Sequence, residues 1–138
     1  MKTSLPSITK IACIECASLS PDILLRHKAD IPVGVYASTR TIRFFGTPSC
    51  DTSMEHENKG KVEHTTLSFS TLDELPTDAP LAFVVTTASG KNFLIGVQEW
   101  PFPIVKIKST TGKLNGEAAT YKVTVTFSAE KSLIPCSV

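Results

Sequence analysis

The stretch Tyr121-Lys122-Val123-Thr124-Val125-Thr126-Phe127 alternates large apolar side chains with lysine and threonine. Successive side chains of a strand point to opposite faces, so this segment has one face for a core and one for water. The same logic extends upstream. Leu81 to Thr87 and Phe93 to Gln98 flank Ala88-Ser89-Gly90-Lys91-Asn92. Ile104 to Lys108 and Ala119 to Phe127 flank a stretch that carries Thr-Thr-Gly-Lys and Asn-Gly. Both are β-hairpin patterns, in which turn residues interrupt two apolar runs. Ile8 to Cys16, Ile31 to Tyr36, Thr41 to Phe45 and Val62 to Phe69 are also strand-like, being rich in β-branched and aromatic residues.

The pattern predicts an all-β, mostly antiparallel fold forming a single domain over residues 1–138. About seven or eight short strands with turn signals between them fit a β-sandwich or a partly open β-barrel, and periodicity does not separate the two. At most one short helix is expected. Ser20-Pro21-Asp22 supplies a capping serine, a proline for the first turn and an early acid, which fits a short helix over Asp22 to Lys28. An extended Ile23-Leu24-Leu25 fits nearly as well, because so short a helix is weak unless packed. Thr47 to Lys61 is the longest polar stretch, with Pro48, Asp51, Ser53, Asn58 and Gly60, and is expected to be a surface arm or loop. Ser70 to Pro80, acidic and proline-bearing, is expected to be a surface loop. A chain of 138 residues buries roughly 65–70% of its extended surface on folding, so a core needs no disulfide or metal staple.

Charge excludes some partners. The formal net charge is +1 with both signs interspersed, so no basic stripe points to nucleic acid or anionic lipid. No run approaches the ~20 apolar residues of a membrane-spanning helix. Pro6, Lys10 and Glu15 interrupt the N-terminal apolar residues, so a cytoplasmic location is expected rather than export.

Candidate chemistry is sparse. Cys13-Ile14-Glu15-Cys16 has the spacing of a zinc knuckle or redox pair, but Cys50 and Cys136 stand alone, so His56 or His64 would have to complete a site. On a strand, residues three apart face opposite ways, which makes buried reduced thiols the more economical reading. His56 and His64, with Glu55, Glu57 and Glu63 nearby, are a second possible metal set if they meet across a hairpin. Gly90-Lys91 and Gly112-Lys113 lack the Ser or Thr that a phosphate-binding loop places next, because Asn92 and Leu114 follow. No catalytic, cofactor-binding or metal-ligating residue is assigned. The chain is expected not to be an enzyme and to have no small-molecule substrate.

Trp100-Pro101-Phe102-Pro103 stands apart, with two prolines holding large aromatics in extended geometry. Trp100 and Phe102 either close one end of the core or anchor an interface.

The order of Leu81-Ala82-Phe83-Val84-Val85, Phe93-Leu94-Ile95-Gly96, Pro101-Phe102-Pro103, Gly112-Lys113, the alternating Tyr121 to Phe127 and Leu133-Ile134-Pro135-Cys136 resembles small β-rich proteins encoded in prophages of gut anaerobes, among genes for phage structural components. The likeness covers about the last sixty residues well and the first half only through Asp30-Ile31-Pro32-Val33 and Phe44-Phe45-Gly46. It implies a structural or assembly role in a tail or at a head–tail junction, with self-association or other phage structural proteins as partners. It supplies no catalytic residues. The alternative from the residues is a monomeric β-barrel binding module for a small ligand or peptide.

Overall fold

A computed structural model describes residues 2–4, 7–19, 21, 23–30, 34, 39–57, 60–72, 75, 79–98, 102–110, 120–129 and 132–136. Its strands are β1 (Lys2–Ser4), β2 (Ile8–Glu15), β3 (Arg40–Ile42), β4 (Phe44–Glu57), β5 (Gly60–Thr71), β6 (Leu81–Thr87), β7 (Asn92–Ile95), β8 (Ile104–Thr110), β9 (Thr120–Ala129) and β10 (Ile134–Cys136). A 3-10 turn at Cys16–Ser18 and a single short helix, α1 (Ile23–Lys28), follow β2. The strands form two five-stranded sheets, β1-β4-β5-β9-β8 (sheet A) and β10-β7-β6-β2-β3 (sheet B). All pairings are antiparallel. The sheets pack against each other without closing into a barrel, so the architecture is a β-sandwich.

The two C-terminal hairpins form where the turn residues place them, yet they join different sheets: β6–β7 lies in sheet B and β8–β9 in sheet A. In the β6–β7 turn the Thr87 N–H donates to Lys91 O at 2.9 Å and the Gly90 N–H to Thr87 O at 2.9 Å. The expected strand over Ile31 to Tyr36 lies outside the described residues apart from a single bridge at Gly34. The helix is confirmed at Ile23–Lys28, and Asp30 follows it with a left-handed φ of 57°.

The polar stretch from Thr47 needs correction. It is not a loop: Thr47 to Glu57 belongs to β4, and Gly60 and Lys61 open β5. Ser70 and Thr71 likewise end β5 rather than opening a loop. Registry with β5 overrides composition here. Cys50 sits opposite Leu67 and Thr52 opposite Thr65, so alternate positions of a serine- and threonine-rich strand face the core while the others face water. The turn formers are absorbed by an irregularity. Between the pairs Phe45↔Ser70 and Ser49↔Ser68 the β4 side is longer, and Gly46 (φ 72°) and Pro48 sit in that bulge.

The central core joins Ile11, Phe83, Val85 and Ile95 of sheet B to Leu67, Phe69, Val123, Val125 and Phe127 of sheet A. Phe69 and Phe83 meet edge to face across the sheets with ring centroids 6.2 Å apart. Sheet B is covered on its other face too. Ile14, Ala82, Val84, Leu94 and Ile134 pack with Cys16, Leu19 and Ile23 from the 3-10 turn and α1, and with Phe102. That is why Leu81 to Val85 is buried without alternation. Gly96 (φ 136°) permits this closeness, because a Cβ there would lie 2.5 Å from the Ala82 Cβ.

One carboxylate ties the closing segment to sheet A. Glu63 sits on the core side of β5 and is only 2% exposed. Its Oε1 accepts the Ser132 N–H at 2.9 Å, the Leu133 N–H at 3.0 Å and the Ser132 hydroxyl at 3.1 Å. Because the Ser132 proton goes to the carboxylate, Thr65 Oγ1 must donate to Ser132 Oγ (2.6 Å), and Thr52 Oγ1 to Thr65 Oγ1 (3.3 Å). The row Thr52, Thr65, Ser132, Glu63 therefore runs in one direction and fixes the chain between β9 and β10.

Glu63→Ala leaves two backbone donors without their acceptor and is expected to cost about 3 kcal/mol, read from the urea midpoint. Glu63→Gln keeps an acceptor oxygen and is expected to cost about 1 kcal/mol. Equal losses would mean that charge, rather than acceptor geometry, holds the segment.

Candidate functional site

Among the described residues, the outer face of sheet A is the broad bare surface of the sandwich. Alternation along β4, β5 and β9 sends Asp51, Ser53, His64, Thr66, Ser68, Thr124, Thr126 and Ser128 to it. The registry stacks them in rows across the sheet, Ser53–His64–Ser128 beside Asp51–Thr66–Thr126. Asp51, Thr52, Ser53, His64 and Thr66 line a shallow, half-open depression of about 340 Å³.

His64 is the most organised side chain there. Its Nδ1 lies 2.6 Å from Ser128 Oγ, and its Nε2 lies 3.6 Å from Glu55 Oε2. The distance to Glu55 is an ion-pair distance rather than a hydrogen bond. For a neutral ring the carboxylate favours the proton on Nε2, because a lone pair facing it would be repelled. Nδ1 is then an acceptor and Ser128 Oγ–H donates to it. The result is a carboxylate–imidazole–hydroxyl row that polarises the Ser128 hydroxyl. Acyl transfer would also require backbone or side-chain donors converging on a developing oxyanion. β5, which carries His64, is hydrogen-bonded to strands on both of its edges, so its backbone donors are committed to the sheet.

Sequence reasoning paired His56 with His64, but the register places His56 opposite Lys61 and His64 opposite Ser53. The hairpin brings Glu55 to His64 instead. The Ser128 contact is 64 positions away in sequence, and its only trace in the chain is the shared outward parity of the two strands.

The cysteines separate as strand geometry predicts. Cys13 faces the central core, and Cys16 enters the cluster on the other side of sheet B. Cys50 is buried in the central core, Cys136 is half-buried beside the second cluster, and all four are free thiols. No group of three or more His, Cys, Asp or Glu residues arranged to hold a metal ion occurs among the described residues. Burial pushes the Cys13 thiol up, Cys16 and Cys136 up to about 11, and Cys50 up to about 12, with Asp51 adding to the last. These are protonated, poorly nucleophilic thiols, unlike those of a redox centre.

Phe102 is half-buried and packs against the cluster on the outer face of sheet B. Trp100 lies outside the described residues. No helix among the described residues is long and apolar enough to cross a membrane. Comparison with protein-family models, with curated proteins and with solved structures finds no match.

Three outcomes are expected. The thiols should react slowly with a disulfide reagent near neutral pH and rapidly once urea unfolds the chain. Above the ordinary thiol value of 9.0, the unfolded chain releases protons that the folded chain keeps up to about 11 or 12. Stability contributed by these groups is therefore full below pH 9.0 and falls as pH rises through that window. Cys50→Ala should lose less stability over this window than the unsubstituted chain. For His64, the ring nitrogen chemical shifts should report the Nε2–H tautomer, and an Nδ1–H signal would reverse the polarity assigned to the row.

Proposed function

We propose that this protein is a non-enzymatic structural or assembly subunit that associates through its strand edges, of the phage tail or head–tail junction kind implied by the resemblance of its C-terminal half. One observation carries the reading. Among the described strands, three of the four sheet margins are the three-residue β1, β3 and β10, while the fourth is the seven-residue β8. A long open edge is a row of backbone donors and acceptors ready for another strand. On β8 the core-side residues Val105 and Ile107 are only half-buried, and Ile104 is 60% exposed. An added strand would complete the cover of Val105 and Ile107. Trp100 and Phe102, just before β8, are a possible second part of the interface.

The depression lined by Asp51, Ser53, His64 and Thr66 favours a second reading, a binding module that takes a small polar ligand on the outer face of sheet A.

Sedimentation velocity from low micromolar to near-millimolar concentration separates them. Reversible growth in mass with concentration is the expected result. A strict monomer throughout would overturn the assembly reading and favour the binding module. Phe102→Ala should lower the melting temperature if that ring mainly serves the core; weakened association at an unchanged melting temperature would place it in the interface.

A further inference from the structure

We propose that the strand received by β8 is the tip of the β4–β5 hairpin of a second copy of this chain, so that the subunits join head to tail. This rests on the assembly reading and names its partner.

The hairpin tip is an arm. β1 pairs with β4 only at Asp51, Thr52 and Ser53, so from Met54 to Glu57 that side of β4 has no neighbour among the described strands. On the other side, β9 covers β5 no further toward the tip than Glu63, which is opposite Ala129. Among the described residues, Met54 to Glu57 and Gly60 to Val62 therefore continue past the pairings of β1 and β9 as a two-stranded ribbon. Its exposed residues include Met54 at 38% and the Glu55 side chain at 63%.

The faces of arm and edge match. Alternation puts Met54 on the core side with Cys50 and Glu55 on the outer side with Ser53. On β8 the core side carries Val105 and Ile107, and the outer side carries Ile104, Lys106 and Lys108. Laying the arm antiparallel along β8 with faces preserved sets Glu55 opposite Lys108. Met54 then lies diagonal to Ile107 on the core side. Opposite charges directly across a strand pair are favourable, and like charges are not. Lys61 belongs to the other face of the arm and does not oppose the lysines.

The same lysines argue against β8 pairing with itself. A two-fold antiparallel pair that keeps the faces in phase and is centred on Lys106 or Ile107 sets Lys106 opposite its own copy or opposite Lys108. β8 is thus guarded against its twin and complementary to the arm. Since each copy has one arm and one β8, the contact is heterologous and generates a ring or an open chain.

The test uses sedimentation velocity on the full chain, on E55K and on K106E/K108E. The unsubstituted chain should associate, and more weakly as salt is raised. Each charge-reversed variant should associate on the order of tenfold or more weakly. An equimolar mixture should recover association, because each variant's arm then meets a β8 of opposite sign. That recovery also shows that both variants are folded. Where the double variant does not fold, Lys108→Glu replaces it in the same design. Association indifferent to all three charges, or a mixture with no recovery, overturns the head-to-tail contact and leaves edge-mediated assembly standing. A chain that is monomeric at every concentration overturns both.

Discussion

The centre of sheet B must be dry on both faces, and the arrangement of the molecule follows from that. Leu81 to Val85 offers apolar side chains in both directions, so packing against sheet A satisfies only half of them. The 3-10 turn, α1 and Phe102 cover the other half. The 3-10 turn and α1 are thereby committed to one side of the sandwich. The broad polar face, the depression around His64 and the long open margin at β8 all belong to sheet A.

The two sheets therefore have different duties. Sheet B, with its short margins, is the anchored layer, whereas sheet A presents its surface and its ends to the surroundings. Charge is distributed accordingly. Lysines line the outer side of β8, and Glu55 lies on the outer side of β4 near its tip, at opposite ends of the order β1-β4-β5-β9-β8 apart from the short β1. A net charge of +1 conceals this polarity, since the two groups cancel in the sum.

What could be read in advance was whatever depends on near neighbours in the chain. The alternation of Tyr121 to Phe127, the turn at Ala88 to Asn92 and the capping residues before α1 are local signals, and they produced strands, a turn and a helix in those places. The choice between sandwich and barrel depends on which hairpin joins which sheet, and hydrophobic period carries no information about that. β4 was misread because Ser, Thr, Asp, Gly and Pro resemble a loop when taken alone, and only pairing with β5 and β1 makes them a strand. Glu63 looked like one more charge in a solvated tract. It is a buried acceptor for donors 69 and 70 positions away, and no local pattern announces such a partner. The His64–Ser128 contact was hidden for the same reason.

The hydroxyl row ending at Glu63 has a consequence for how this chain can change over time. Thr52 and Thr65 come from the two strands of one hairpin and Ser132 from a distant part of the sequence, yet each proton position is dictated by the next member. Losing the middle hydroxyl leaves one neighbour with a proton and no taker, and the other with a lone pair and no giver. Single exchanges at these positions are penalised in a way that a concerted switch of the whole set to apolar residues is not. Those three sites should therefore drift together or not at all, although each by itself looks like an unremarkable small polar residue.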